Sequence, residues 1–160
     1  MHELAARAGS IAERLKTARQ TIAVAESSTG GLLSAVLLAV PGASAYFRGG
    51  GVIYTAQSRS ALMGFSDADL KGIRSSSEPY ALLLARRIRD KHGATWGLGE
   101  SGAAGPTGNR YGDAPGHTCI AVVGPRERVL TLETGQGDRE ANMWAFTDAA
   151  LAVLRECLEK

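Results

Sequence analysis

The chain has 160 residues, 44% of them hydrophobic and 21% charged, and its net charge is +2. That length suits one domain with its own core, and that balance excludes a disordered chain. The basic residues are dispersed apart from Arg86-Arg87-Ile88-Arg89, which argues against direct nucleic-acid binding, and no apolar run reaches the roughly 18 residues of a membrane span.

Met1 to Arg19 is charged and amphipathic and lacks the apolar core of a signal peptide. From His2 to Arg19, the residues Leu4, Ala5, Ala8, Ile11, Ala12 and Leu15 recur on one side of a helix. Residues 20–25 read as a buried strand, and Gly31 to Val40 as a helix stopped by Pro41-Gly42. Gly49 to Thr55 reads as a strand whose Gly49-Gly50-Gly51 implies close approach of another backbone or a ligand. Gln57 to Met63 is a short helix closed by Gly64, and Asp67 to Leu70 is another, capped by Ser66. Ser77-Glu78-Pro79 opens a helix that runs to about His92 and ends at Gly93.

Thr95 to Gly99 is a short strand. The glycine- and proline-rich stretch from Gly102 to Gly116 is a functional loop. His117 to Val123 and Arg128 to Thr134 are strands joined at Gly124-Pro125, and Asp138 to Leu158 is a closing helix. Interleaved helices and strands followed by two adjacent strands predict a layered α/β fold with a mixed sheet. Cys119 and Cys157 sit alone in apolar settings, as buried thiols of a cytoplasmic protein do, and no metal and no cofactor is expected.

The chemistry concentrates at Ala25-Glu26-Ser27-Ser28-Thr29-Gly30-Gly31, where a strand turns into a helix. Amides at a helix start lack intrahelical partners and can hold an anion. Ser27 can cap the helix or attack a carbonyl whose oxygen those amides stabilise, and spacing leaves both roles open. The turn matches neither the G-x-S-x-G elbow nor the phosphate-binding loop that ends in lysine. Ser101-Gly102-Ala103-Ala104-Gly105-Pro106-Thr107-Gly108 lets backbone approach a substrate phosphate or ring. Arg59 and Arg139 are each either surface residues or anion contacts. His92 near a helix end suits the helix dipole, and His117 is a reserve candidate for proton transfer.

In order and spacing, these blocks resemble the C-terminal domain of the competence/damage-inducible protein CinA, a family whose stand-alone members include nicotinamide mononucleotide amidohydrolases. The resemblance runs from about Leu4 to Leu158. It rests on Ala25–Gly31, Val40-Pro41-Gly42-Ala43-Ser44-Ala45-Tyr46-Phe47 with Gly49-Gly50 and Tyr54, Leu62-Met63-Gly64, Ser76-Ser77-Glu78, Gly102-Ala103-Ala104-Gly105-Pro106 and Gly137-Asp138-Arg139-Glu140.

The resemblance implies a single three-layer α/β/α domain over residues 1–160 with a mixed sheet, and homo-oligomers. It implies hydrolysis of nicotinamide mononucleotide to nicotinic acid mononucleotide and ammonia. Ser27 falls on the nucleophile, the amides of Thr29, Gly30 and Gly31 are expected to hold the oxyanion, and Ser28, Tyr54, Gly102, Gly105, Thr107 and Arg139 are expected to bind the nucleotide.

One position departs from the pattern. In the family's amidases a lysine stands five residues after the tyrosine and acts as the serine's base. Here that place holds Arg59, five residues after Tyr54 and three before Leu62. Arginine does not deprotonate in a protein and cannot accept the serine proton. The expectation is therefore an amidohydrolase in which Arg59 acts electrostatically, and the alternative is a catalytically impaired nucleotide- or phosphate-binding homologue. Glu26, Glu100, Asp113 and His117 are the substitute bases to weigh.

Overall fold

The structure, a computed structural model, describes residues 2–159, with side chains from Leu4 onward. Helix α1 (His2–Ala18) leads into β1 (Ile22–Glu26) and α2 (Leu32–Leu38). A 3-10 turn (Ala43–Ala45) precedes β2 (Phe47–Val52). The short α3 (Ala56–Ser58) runs into a π-type turn (Arg59–Met63), followed by α4 (Asp67–Leu70) and α5 (Glu78–His92). Strands β3 (Trp96–Ala103), β4 (His117–Val123) and β5 (Arg128–Glu133) then precede α6 (Arg139–Glu159).

The five strands form one mixed sheet in the order β2-β1-β3-β4-β5. β1 is parallel to both β2 and β3, whereas β3–β4 and β4–β5 are antiparallel. Strand side chains alternate between faces. Ile22, Val24, Trp96, Leu98, Ile120 and Val122 pack against α1, α2 and α6, with Leu4, Ala8, Ile11, Ala12 and Leu15 as the inner stripe of α1. Ala5, expected in that stripe, is exposed. On the other face, Ala23 and Ala25 meet Tyr80, Leu84 and Ile88 of α5, and Cys119, Ala121 and Val123 meet Ala81 and Ala85. The result is the three-layer α/β/α arrangement. No helix among the described residues is long and apolar enough to cross a membrane.

Local signals set most boundaries. Ser77 caps α5 by accepting the Tyr80 N–H, and Ser66 forms a reciprocal capping box with Asp69 on α4. Gly64 and Gly93 take left-handed conformations at the ends they close.

Two strands differ from expectation. β2 begins at Phe47 and ends at Val52, so its glycines lie mid-strand. A Cβ on Gly49 would lie 2.5 Å from His92 Nε2, and one on Gly50 would lie 2.6 Å from Ser34 Oγ. The triple glycine thus admits two side chains, not a ligand. β3 runs four residues past Gly99 because Glu100, Ser101, Gly102 and Ala103 pair with Ile120, Cys119, Thr118 and His117 of β4. Glycines and a charged residue hid this strand from its periodicity. Gly97 and Gly99 face α5, where a Cβ on either would overlap the carbonyl oxygen of Ala85 or Ala81. Helix and strand therefore touch backbone to backbone.

Candidate active site

The cleft lies at the carboxyl ends of β1, β2 and β3. Its larger lobe has a volume of about 400 Å³ and is lined by Ser27, Arg59, Ser75, Ser76, Tyr80, Ser101, Arg110 and Tyr111, among others. A second lobe of about 240 Å³ is lined by Ser28, Gly105, Thr107 and Arg139. Tyr54, Gly102 and Asn109 border both lobes, which makes them one two-part site.

The turn that carries Ser27 is built on two buried carboxylates. Ala25 pairs with Gly99, which places Glu26 and Glu100 side by side on adjacent parallel strands, both fully buried. Glu26 accepts the N–H groups of Gly31, Leu33 and Ser34 at 3.0, 3.1 and 3.0 Å, and the hydroxyls of Thr29 and Ser34 at 2.8 and 2.7 Å. Glu100 accepts the N–H groups of Ser27 and Thr29 at 3.0 and 3.1 Å, the Thr118 hydroxyl at 2.7 Å, and the Ser28 hydroxyl. A buried carboxylate is tolerated when its lone pairs are filled this way.

This corrects one expectation. The amides of Thr29, Gly30 and Gly31 are not open to a substrate oxyanion: Glu100 takes the first, the Ser27 carbonyl the second at 3.0 Å, and Glu26 the third. The anion at the start of α2 is the protein's own Glu26. Ser28 borders the second lobe, yet its hydroxyl donates to Glu100 and the residue is buried. Among the described residues, the turn amide without a hydrogen-bond partner is that of Ser28. Ser27 is half-buried and faces the larger lobe.

Arg59 borders the same lobe as Ser27 and lies against the Tyr80 phenol. Burial raises the Tyr80 pKa, with Arg59 opposing. The Arg110 guanidinium donates to Tyr111 Oη at 3.0 Å, and that contact, with Ser75 and the more distant Arg59, lowers the Tyr111 pKa. Arg139 donates to the Gly105 carbonyl at 2.6 Å and to Tyr54 Oη at 3.1 Å. Asn142 of α6 holds the Ala104 carbonyl at 2.7 Å, so the start of α6 fixes the glycine loop.

None of the substitute bases lines the cleft. Glu26 and Glu100 lie beneath the turn. Asp113 is gripped by both nitrogens of Arg74 at 2.7 and 3.1 Å, which holds its carboxyl below the usual carboxylate range. His117 is buried behind the loop, with Nδ1 2.5 Å from Glu133 and Nε2 2.8 Å from the Ser76 carbonyl. Among the described residues, neither lobe is lined by an aspartate, glutamate, histidine or lysine, and no cluster of three or more potential metal ligands occurs.

The model of the CinA C-terminal domain matches residues 4–158. The chain belongs to the CinA C-terminal domain family. A CinA-like protein of Chlorobium limicola is 39% identical over 137 residues, which cover 82% of this chain and 32% of the relative. A CinA-like protein of Gloeothece citriformis is 36% identical over 129 residues, covering 81% and 31%. The chain therefore spans about a third of the length of these relatives. Among solved structures, a CinA superfamily protein from Enterobacter cloacae superposes with a TM-score of 0.89 at 29% identity, covering 97% of this chain and 92% of that one. The competence damage-inducible protein A from Klebsiella pneumoniae gives 0.88 at 27%, covering 99% and 96%.

The sites expected from this CinA domain's sequence divide by geometry. Ser27, Ser28, Tyr54, Arg59, Gly102, Gly105, Thr107 and Arg139 come together around the two lobes, whereas Thr29, Gly30 and Gly31 belong to the internal scaffold of the turn. Sequence reasoning missed Ser75, Tyr80, Asn109, Arg110 and Tyr111. The polar-aromatic cluster Asn109-Arg110-Tyr111 inside a glycine loop was the available signal.

Proposed function

We propose that this CinA domain is an amidohydrolase of the nicotinamide mononucleotide type, with Ser27 as nucleophile. The observation that carries the reading is the meeting of Ser27 and Arg59 in one lobe, with Arg139 in the adjoining lobe. The nucleotide phosphate sits toward Arg139 and the carboxamide faces Ser27. Ser27 Oγ bonds to the amide carbon, the C–N bond breaks, and the nitrogen leaves as ammonia. Water then opens the acyl-enzyme and gives the acid. The Ser28 N–H meets the oxyanion, and Arg59 offsets its charge without accepting a proton. The serine proton passes through water to the departing nitrogen.

A specific observation favours a second reading, a binding protein that turns nothing over. Among the described residues the cleft wall presents no conventional proton acceptor. Losing a general base removes about 100- to 10,000-fold in rate. Ammonia release from nicotinamide mononucleotide by the unmodified protein and by Ser27→Ala separates the two. Turnover abolished by Ser27→Ala supports the amidase. Nucleotide affinity without turnover in the unmodified protein supports the binding protein.

A further inference from the structure

The cleft is cationic at both ends. Arg59 and Arg110 border the larger lobe, and Arg139 borders the smaller. Among the described residues none of the three forms an ion pair. The recorded polar contacts of Arg110 and Arg139 are to Tyr111 Oη, to the Gly105 carbonyl and to Tyr54 Oη, while Arg59 lies against Tyr80. These partners are uncharged acceptors, and they aim a guanidinium without cancelling its charge. Several arginines outside the cleft do pair with carboxylates, among them Arg7 with Asp148, Arg74 with Asp113, Arg86 with Glu127 and Arg87 with Asp69. No carboxylate lines either lobe among the described residues.

We infer that the cleft receives a small molecule with an anionic group at each end, a phosphate at Arg139 and a carboxylate at Arg59 and Arg110. A planar fork of donors suits both groups. A carboxamide at the Arg59 end leaves those donors facing a neutral oxygen and an N–H₂ group that repels them. A carboxylate in the same place removes the mismatch. The ligand class is therefore a phosphorylated acid, which in the amidase reading is the product and in the binding reading is the natural occupant. The inference rests on the proposed placement of the phosphate at Arg139.

Calorimetric titration with nicotinic acid mononucleotide and nicotinamide mononucleotide tests it, since the two differ only in carboxylate against carboxamide. Ser27→Ala protein keeps the amide intact during the titration. The expected result is at least tenfold tighter binding of the acid at low salt. That preference shrinks severalfold in Arg59→Gln and in Arg110→Gln, and Arg139→Gln weakens both ligands alike. The inference is overturned if the acid binds no tighter than the amide, if neither binds, or if the preference survives in the Arg59→Gln/Arg110→Gln double variant. Ammonia release by the unmodified protein is read separately. Turnover without acid preference sinks this inference and keeps the amidase, whereas acid preference without turnover does the reverse.

Discussion

Glu100 holds Ser27 by its backbone N–H, 3.0 Å from Oε2, and leaves the hydroxyl to the cleft. The same carboxylate holds the Thr29 N–H and the hydroxyls of Ser28 and Thr118, so the turn is anchored from below by a group 73 residues away in sequence.

Glu100→Gln should therefore cost stability. The amide nitrogen of glutamine cannot accept hydrogen bonds, so part of this buried donor set goes unmet, at about 1–3 kcal/mol for each orphaned group. A loss of about 2–3 kcal/mol is expected. It corresponds to a Tm decrease on the order of 4–12 °C for a domain of this size, checked by a calorimetric melt. An unchanged Tm would show that the turn does not depend on the carboxylate.

Gly99→Ala should destabilise the protein, although alanine in place of a strand glycine is favoured by backbone entropy alone. The added methyl meets the backbone of α5, with the Ala85 nitrogen 2.8 Å away and the Ala81 carbonyl closer still. Backbone cannot rotate aside as a side chain can, and overpacking costs about 1–3 kcal/mol or more. Urea unfolding should show a lower midpoint, with Gly112→Ala as a contrast: that loop glycine has φ +90 and nothing within 4 Å of its Cβ, so its strain is local.

Stability should depend on His117 above neutral pH. Burial alone would lower its pKa, but the Glu133 carboxylate, the Ser76 carbonyl and Asp113 outweigh burial and hold it above the ordinary 6.5. A folded pKa above the unfolded one gives stability that is complete below about pH 6.5 and lost as pH rises through the folded value. Melting temperatures from pH 6 to pH 9 should fall, and His117→Gln should flatten that slope. The loop and the Ser75–Ser76 segment both border the cleft, so ligand affinity should decline over the same range.

Arg59→Lys should raise amidase turnover. A lysine keeps the charge and adds a group that can give up its proton inside a cationic cleft. Restoring a base is worth about 100- to 10,000-fold. Ammonia release by Arg59→Lys at pH 7 and pH 9 should exceed that of the unmodified protein and grow with pH. No gain at either pH would mean that the base is not what limits this site.

Local chemistry made much of the fold legible. Ser66, Ser77, Gly64 and Gly93 mark helix ends through bonds made within a few residues, so a sequence window contains the whole cause. The meeting of Ser27, Arg59 and Arg139 was legible only through family resemblance, since it joins three distant segments. The occupied turn amides were not legible. The acceptor of the Thr29 amide depends on the register of β1 against β3, which brings Glu100 beside Glu26, while the Gly30 and Gly31 amides turn to the nearby Ser27 carbonyl and Glu26. The usable hint was an acidic residue ending each of two apolar runs, Ile22–Ala25 and Trp96–Gly99. In a buried strand such a residue must be filled by donors nearby.

The bare positions of β3 make one flank beneath the cleft stiff. Where Gly97 and Gly99 let α5 rest on the strand, main chain abuts main chain, and that side cannot give way without parting the sheet from its covering layer. The opposite side, residues 104–116, is moored at its root by buried Asn142 on the Ala104 carbonyl and farther along by the Arg74–Asp113 pair. The stiff side thus supplies a fixed frame against which an occupant is aligned.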